Sequence, residues 1–154
     1  FFPIQISIKN NNNGNILTKK NLIYPLNEAK ALCDKTIGKK KIIHMFIDNY
    51  QINGNNFSKL PNHLSCYYFY LDIKFLCLSH EYLSNLENAL KKHQISIDRI
   101  LDFHYVNNFF RDKDLNLFQK TKQIVDGCNG NEVKFTDKIR ENRGFFEKIF
   151  NFFN

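Results

Sequence analysis

The sequence predicts an α+β domain, a small sheet with two packed helices in a strand-helix-strand-strand order. A linker and a C-terminal amphipathic helix are expected to follow it. Three observations carry this reading. Two long runs of strand-forming residues, from Ile42 and from Cys66, stand on either side of a polar loop. One amphipathic stretch of helical period, HEYLSNLENALKKH, comes directly after the second run. Near the start, Ile4, Ile6 and Ile8 alternate with Gln5, Ser7 and Lys9, the period of a half-buried strand.

In chain order, that first strand is broken by NNNNGN at 10–15, because Asn and Gly tolerate the positive φ of tight turns. A short strand is expected next, at Ile16–Leu17 or at Leu22–Tyr24. Pro25 suits a first helical turn, where its missing N–H costs nothing. Leu26, Ala29, Leu32, Cys33 and Ile37 then fall at helical spacing, and Gly38 suits the position past the helix end. The apolar run Ile42 to Ile47 is long enough for a buried strand, and Tyr50 and Ile52 extend it by alternation. Asn53-Gly54 signals a turn. Residues 55–65, with Pro61, read as a loop.

From Cys66 to Leu78, Asp72 and Lys74 occupy one face, opposite Leu71, Ile73 and Phe75. Ser79 is placed to cap the following helix. Tyr82, Leu83, Leu86, Ala89 and Leu90 form its apolar stripe, with Glu81, Glu87, Lys91 and Lys92 outside it. Ile95, Ile97 and Ile100-Leu101 predict a closing strand. The domain is thus expected over 1–110. Residues 111–141 read as a linker or remnant segment, with a hairpin around Gly127 and Gly130, and 142–154 as a terminal helix.

The length, 154 residues, fits one domain with a real core. A net charge of +7 is carried mostly by scattered Lys, which suits a solvated surface, nucleic acid or an anionic membrane. Cys33, Cys66, Cys77 and Cys128 form no C-x-x-C, so free and mostly buried thiols in a reducing compartment are expected. No run reaches the roughly 18 apolar residues of a membrane span, and no signal sequence opens the chain. The chain begins with Phe1 rather than Met, as a piece of a longer protein would.

No catalytic constellation is visible, and neither an enzyme nor a cofactor is expected. His80-Glu81 starts like H-E-x-x-H, but Ser84 stands where the second His belongs. His44, His63, His93 and His104 have no ligand-like spacing to a cysteine. His44 reads as a hydrogen-bonded strand residue. Asp98 and Asp102 could approach each other but lack partners for acid–base work.

The run from Ile4 to Phe110 resembles the inserted subdomain of the FtsA family, bacterial actin-like cell-division proteins. Ile42-Ile43-His44 matches the start of the family's first block, and Tyr50, Ile52, Asn53 and Gly54 match its end. Pro61 matches the loop, Asn85-Leu86 the helix, and Ile95, Ile97, Asp98 and Ile100 the closing segment. Ile47 stands near where the family usually has a Pro, His63 and Cys66 stand where it has glycines, and Gln94 replaces the Gly before the closing segment. The resemblance implies a non-catalytic, membrane-associated role in the divisome. Its implied partners are a neighbouring FtsA-like subunit or later division proteins such as FtsN. Asp126-Gly127 with Gly130 and Val133 is similar in outline to an FtsA phosphate loop, but lacks the glycine cluster such a loop needs and reads as a plain turn. Nucleotide binding is therefore not expected.

The end of the chain carries a second likeness. Phe145, Phe146, Ile149, Phe150, Phe152 and Phe153 share one broad helical face, and Arg143 and Lys148 lie on the other. Such a helix can lie in a bilayer interface, its cations favouring anionic lipid, or pack back on the domain. FtsA proteins also end in a short amphipathic helix that docks on the inner face of the membrane. That likeness favours a peripheral membrane site on the cytoplasmic side. Two alternatives remain. One is a small basic nucleic-acid-binding domain using Tyr67, Tyr68, Tyr70 and Lys74 on a sheet face, although no nucleic acid is expected. The other is a fragment of a complete actin-like ATPase.

Overall fold

The structure, a computed structural model, describes residues 1–111 and 113–134. The terminal helix expected over 142–154, with Phe145, Phe146, Ile149, Phe150, Phe152, Phe153, Arg143 and Lys148, lies outside the described residues. The elements are β1 (Phe2–Asn11), α1 (Lys19–Thr36), β2 (Lys40–Ile52), β3 (Asn55–Phe57), β4 (Tyr68–Ser79), α2 (His80–Lys91), α3 (Phe103–Phe109) and α4 (Leu117–Val125). The strands form one antiparallel sheet in the order β1-β4-β2-β3. The domain is α+β.

β4 sits between β1 and β2, and its Phe75-Leu76-Cys77-Leu78 run is buried at four successive positions, as a central strand covered on both faces requires. Phe69, Leu71, Ile73, Phe75 and Cys77 are fully buried on one face. Facing them on β2 are Ile52, Tyr50, Ile47, Met45 and Ile42. Two bulges, between Ile42 and His44 and between Ile47 and Asn49, keep all five on that face. Without them strict alternation would turn Met45 and Ile47 to the face opposite Ile42, Tyr50 and Ile52. Ile4, Ile6 and Ile8 of β1 complete the layer, and α1 covers it with Leu22, Pro25, Ala29 and Cys33. Full burial of Phe69 and Phe75 stabilises the fold by roughly 1.5–3 kcal/mol each.

The turn chemistry follows the sequence. Asn13 and Gly14 have φ of 52° and 77°, and Asn53 and Gly54 have 51° and 80°. Both central residues of the β2–β3 turn are therefore left-handed, as a tight hairpin needs. Gly38 follows α1 at φ 58°. Ser79 Oγ accepts from the Tyr82 amide at 3.1 Å and starts α2 as expected.

Several expectations are corrected. No strand forms at Leu22–Tyr24, which lie in α1, and Ile16 makes only an isolated bridge to Ser65. α1 starts at Lys19, where the Asn21 side chain accepts from the Thr18 amide at 2.9 Å. Pro25 therefore stands well inside the helix rather than in its first turn. Its buried ring makes up for one absent ladder bond. Residues 55–57, read as loop, form β3. Residues 95–101 form no strand, because β4 already has β1 and β2 on its two sides. The α2 stripe is largely uncovered: Leu83 is buried, but Tyr82 and Ala89 are exposed. The hairpin around Gly127 and Gly130 is absent, since Ile124 and Val125 end α4.

Beyond α2, the chain crosses to the second sheet face. Val106, Phe110 and Ile124 form a small separate cluster between α3 and α4. Residues 131–133 then return to β2, with Ile47 N–H donating to Asn131 O at 3.0 Å and Val133 N–H to Met45 O at 2.9 Å.

Candidate functional site

The chemistry-bearing groups that the fold gathers lie where α3 and residues 128–133 meet the second face of β2. Each bulge-shifted neighbour of a core residue points here, so His44 and Phe46 stand opposite Met45 and Ile47. His44 is buried. Its Nε2 accepts from the Asp102 amide at 3.2 Å, and its Nδ1 lies 2.9 Å from Glu132 Oε1. A backbone amide can only donate, so Nε2 carries no proton and Nδ1–H donates to the carboxylate. The imidazole is thus the neutral Nδ1–H tautomer, and the contact with Glu132 is a charge-assisted hydrogen bond rather than an ion pair.

The network continues outward. Tyr105 OH donates to Glu132 Oε2 at 3.1 Å and accepts from Asn129 Nδ2 at 3.0 Å. Burial pushes the Tyr105 phenol well above its ordinary range. Asp102 Oδ1 accepts from the Tyr105 amide at 2.6 Å and caps α3. Asn131 Nδ2 donates to Ser58 O at 2.6 Å. The Phe46 ring centroid is 4.4 Å from that of Tyr105 and 5.5 Å from that of His44. Among the described residues, every buried side-chain nitrogen and oxygen has a hydrogen-bond partner. What this arrangement does chemically is hold residues 102–105 and 129–132 against β2. Both imidazole nitrogens are engaged in that task.

A cleft of about 710 Å³ opens beside the network, between β2, α2 and the stretch 97–101. Its cations are mixed with Asp34, Glu87 and Asp98. Arg99 and Lys134 both donate to Val125 O, at 3.1 and 3.3 Å. They thereby cap the negative end of α4. Gly127, at φ 89°, belongs to the same end. Its amide donates to Ile124 O and the Cys128 amide to Gln123 O, the paired bonds of a glycine-terminated helix. Asp126 is the C-terminal cap of that helix. Residues 126–130 therefore present a helix C-terminus, whose carbonyls repel anions.

The other singled-out residues are not brought together. His63, His80, His93 and His104 are exposed and apart, and Asp98 is exposed while Asp102 is buried. Among the described residues, no group of three His, Cys, Asp or Glu could hold a metal ion, and no helix is long and apolar enough to cross a membrane. Cys33, Cys66 and Cys77 are free and buried, and Cys128 is free and exposed.

Glu132, Tyr105 and Asn129 carry the network, yet sequence reasoning does not single them out. Their signal is faint, because a lone Glu in a turn-rich stretch resembles any solvated carboxylate.

The second sheet face is only partly covered. Its far half, toward β1, leaves Gln5, Ser7, Lys9, Tyr68 and Lys74 exposed. Lys9 Nζ lies 4.5 Å from the Tyr68 ring centroid and 5.6 Å from that of Tyr70. Asp72 occupies the middle of this face, accepting from Ser7 Oγ at 2.5 Å and Asn49 Nδ2 at 3.0 Å. No protein-family model matches the chain, and no curated protein matches it either.

Proposed function

We propose that this chain is a non-catalytic protein-contact domain of the FtsA kind, acting in bacterial cell division at the inner face of the membrane. The observation that carries the reading is the succession β1, α1, β2, β4 folded as an antiparallel sheet with the helix on one face. That is the order the resemblance implies for the inserted subdomain. Two further features support a contact role. The polar groups on the covered face are spent on holding the chain's own segments, and among the described residues nothing covers the remaining face or pairs with the β1 edge. The partners are a neighbouring FtsA-like subunit or an FtsN-like division protein, and the Phe-rich end supplies the membrane contact.

Liposome co-sedimentation tests this, with the full chain set against a version ending at Asn142 and with anionic and neutral vesicles. The full chain alone is expected to pellet, with preference for anionic vesicles. Equal behaviour of the two versions removes the membrane role. Purified FtsN-like cytoplasmic segments are then tested for binding. Failure of both assays overturns the cell-division reading.

One observation favours a second reading, a single-stranded nucleic-acid platform: Lys9 stacked on Tyr68 and Tyr70 at an exposed sheet face. Asp72 at the centre of that face works against it. Binding of a labelled oligonucleotide that falls steeply with salt would favour this reading over the first.

A further inference from the structure

The two edges of the sheet are treated differently. The outer side of β2 is covered, by β3 at Tyr50–Ile52 and by residues 131–133 at Met45 and Ile47. β1 ends the sheet order on the other side and pairs, among the described residues, with β4 alone. Sheets ordinarily guard such an edge by shortness, bulges, charge or proline. β1 has ten residues in unbroken register with β4. Its proline and its lysine, Pro3 and Lys9, stand toward the two ends. Between them Ile4-Gln5-Ile6-Ser7-Ile8 carries no charge.

That stretch is its own complement. In an antiparallel pair centred on Ile6, Ile4 faces Ile8 of the second copy, Gln5 faces Ser7, and Ile6 faces itself. The isoleucines then stay on the α1 side in both copies, where Ile4 and Ile6 are still only half-buried. A slip of one residue would set isoleucine against Gln or Ser, so the pattern excludes odd slips, and a cross-link between positions 5 and 7 distinguishes the pair centred on Ile6 from one slipped by two. Lys9 falls opposite Pro3, and no like charges meet. Because the contact is two-fold, it closes as a dimer instead of growing into a fibre.

The geometry points to a second copy of this chain as the occupant of the β1 edge, paired antiparallel about Ile6 into one sheet running through both molecules. This goes beyond the protein-contact reading and does not depend on the family resemblance.

The test uses the full chain carrying Cys128→Ser, which leaves three buried thiols. Chains with Gln5→Cys are mixed with chains carrying Ser7→Cys and oxidised. Directly opposed Cβ atoms lie about 4.5–5.5 Å apart, close to disulfide reach. With the two kinds in equal amounts, the mixed disulfide, joining one chain of each kind, is expected well beyond the roughly twofold excess over either self-product that random pairing gives. In sedimentation, the unmodified chain is expected at dimer mass at about 100 µM. Gln5→Lys with Ser7→Lys sets lysine opposite lysine twice on the solvent side, and is expected to weaken the dimer about tenfold.

A monomer at that concentration, or a mixed disulfide at no more than roughly twice the yield of each self-product, overturns the proposal. A monomeric full chain beside a dimer of the chain ending at Lys134 also overturns it, by making the chain's own last residues the cover. If the double lysine variant loses its far-UV circular dichroism, the mixed cross-link decides alone.

Discussion

His44 and Glu132 stand 88 positions apart and share a 2.9 Å hydrogen bond from Nδ1 to Oε1. Through it the last described segment is fastened to β2, beside the Phe46–Glu132 bridge. The bond is deeply placed, with side-chain exposures of 3% and 11%. Water therefore cannot replace a lost partner. Removing Glu132 leaves a buried donor without its acceptor, and removing His44 leaves a largely buried carboxylate short of one of its two donors.

Glu132→Ala is expected to destabilise the domain by about 2–4 kcal/mol, because it strands His44 Nδ1–H and Tyr105 OH together. Glu132→Gln keeps an acceptor for His44 and is expected to cost about 1 kcal/mol. Urea denaturation midpoints of the two variants against the parent check the ranking. Equal loss in both would show that the charge, not the acceptor, matters.

Alkaline pH should unfold the domain through two tyrosines. Burial raises the Tyr50 phenol from 10 to about 12, and burial raises Tyr105 further. A raised folded-state value means that the unfolded chain loses its protons first. Stability is then full below about pH 10 and falls as pH climbs through the folded values. In an absorbance titration at the phenolate band, Tyr50 and Tyr105 are expected to ionise only together with loss of circular dichroism.

Thiol chemistry should single out one cysteine. Burial raises Cys33 to about 12, and burial likewise raises Cys66 and Cys77. Cys128 is exposed at the end of α4. Burial raises its thiol also, so its reaction should be slow at neutral pH and speed up as pH rises. An aromatic disulfide reagent is expected to titrate one thiol in the native protein and four in denaturant. Two or more fast native thiols would contradict the packing of the α1 face.

The two glycines after α4 should differ sharply. Gly127 holds φ 89° and a Cβ there would meet Lys134 Nζ at 3.2 Å, whereas Gly130 faces open space. Gly127→Ala is expected to cost about 1–2 kcal/mol, and Gly130→Ala to be close to neutral. Thermal melts of the two variants make the comparison. Equal melting shifts would mean that residues 127–130 do not form the helix end described above.

Much of the β framework was legible because its signals are local. Asn53-Gly54 dictates a hairpin by backbone sterics alone, and Ser79 caps α2 through a bond three residues long. Alternation across Leu71–Phe75 identifies the buried face of β4 without knowledge of its neighbours. The misread stretches lack such signals. Ile95–Leu101 has strand composition, yet whether it pairs depends on a free sheet edge, and β4 offers none. Leu117–Val125 is a helix through the Asn116–Gln119 reciprocal cap, at 3.0 and 3.1 Å, inside a stretch whose charge suggested a linker.

The sequence by itself determined the α+β class, the two long strands, the Ser79 cap and the Asn53-Gly54 turn, since the cap and the turn rest on contacts within a few residues and the strands on local alternation. Only the tertiary structure decided which way β2 faces. Two bulges shift its alternation twice, sending Met45 into the core and His44 to the opposite layer. Only tertiary structure, too, joined His44 to Asp102, Tyr105 and Glu132. A hydrogen bond across 88 positions has no local periodicity, and burial alone makes its partners obligatory.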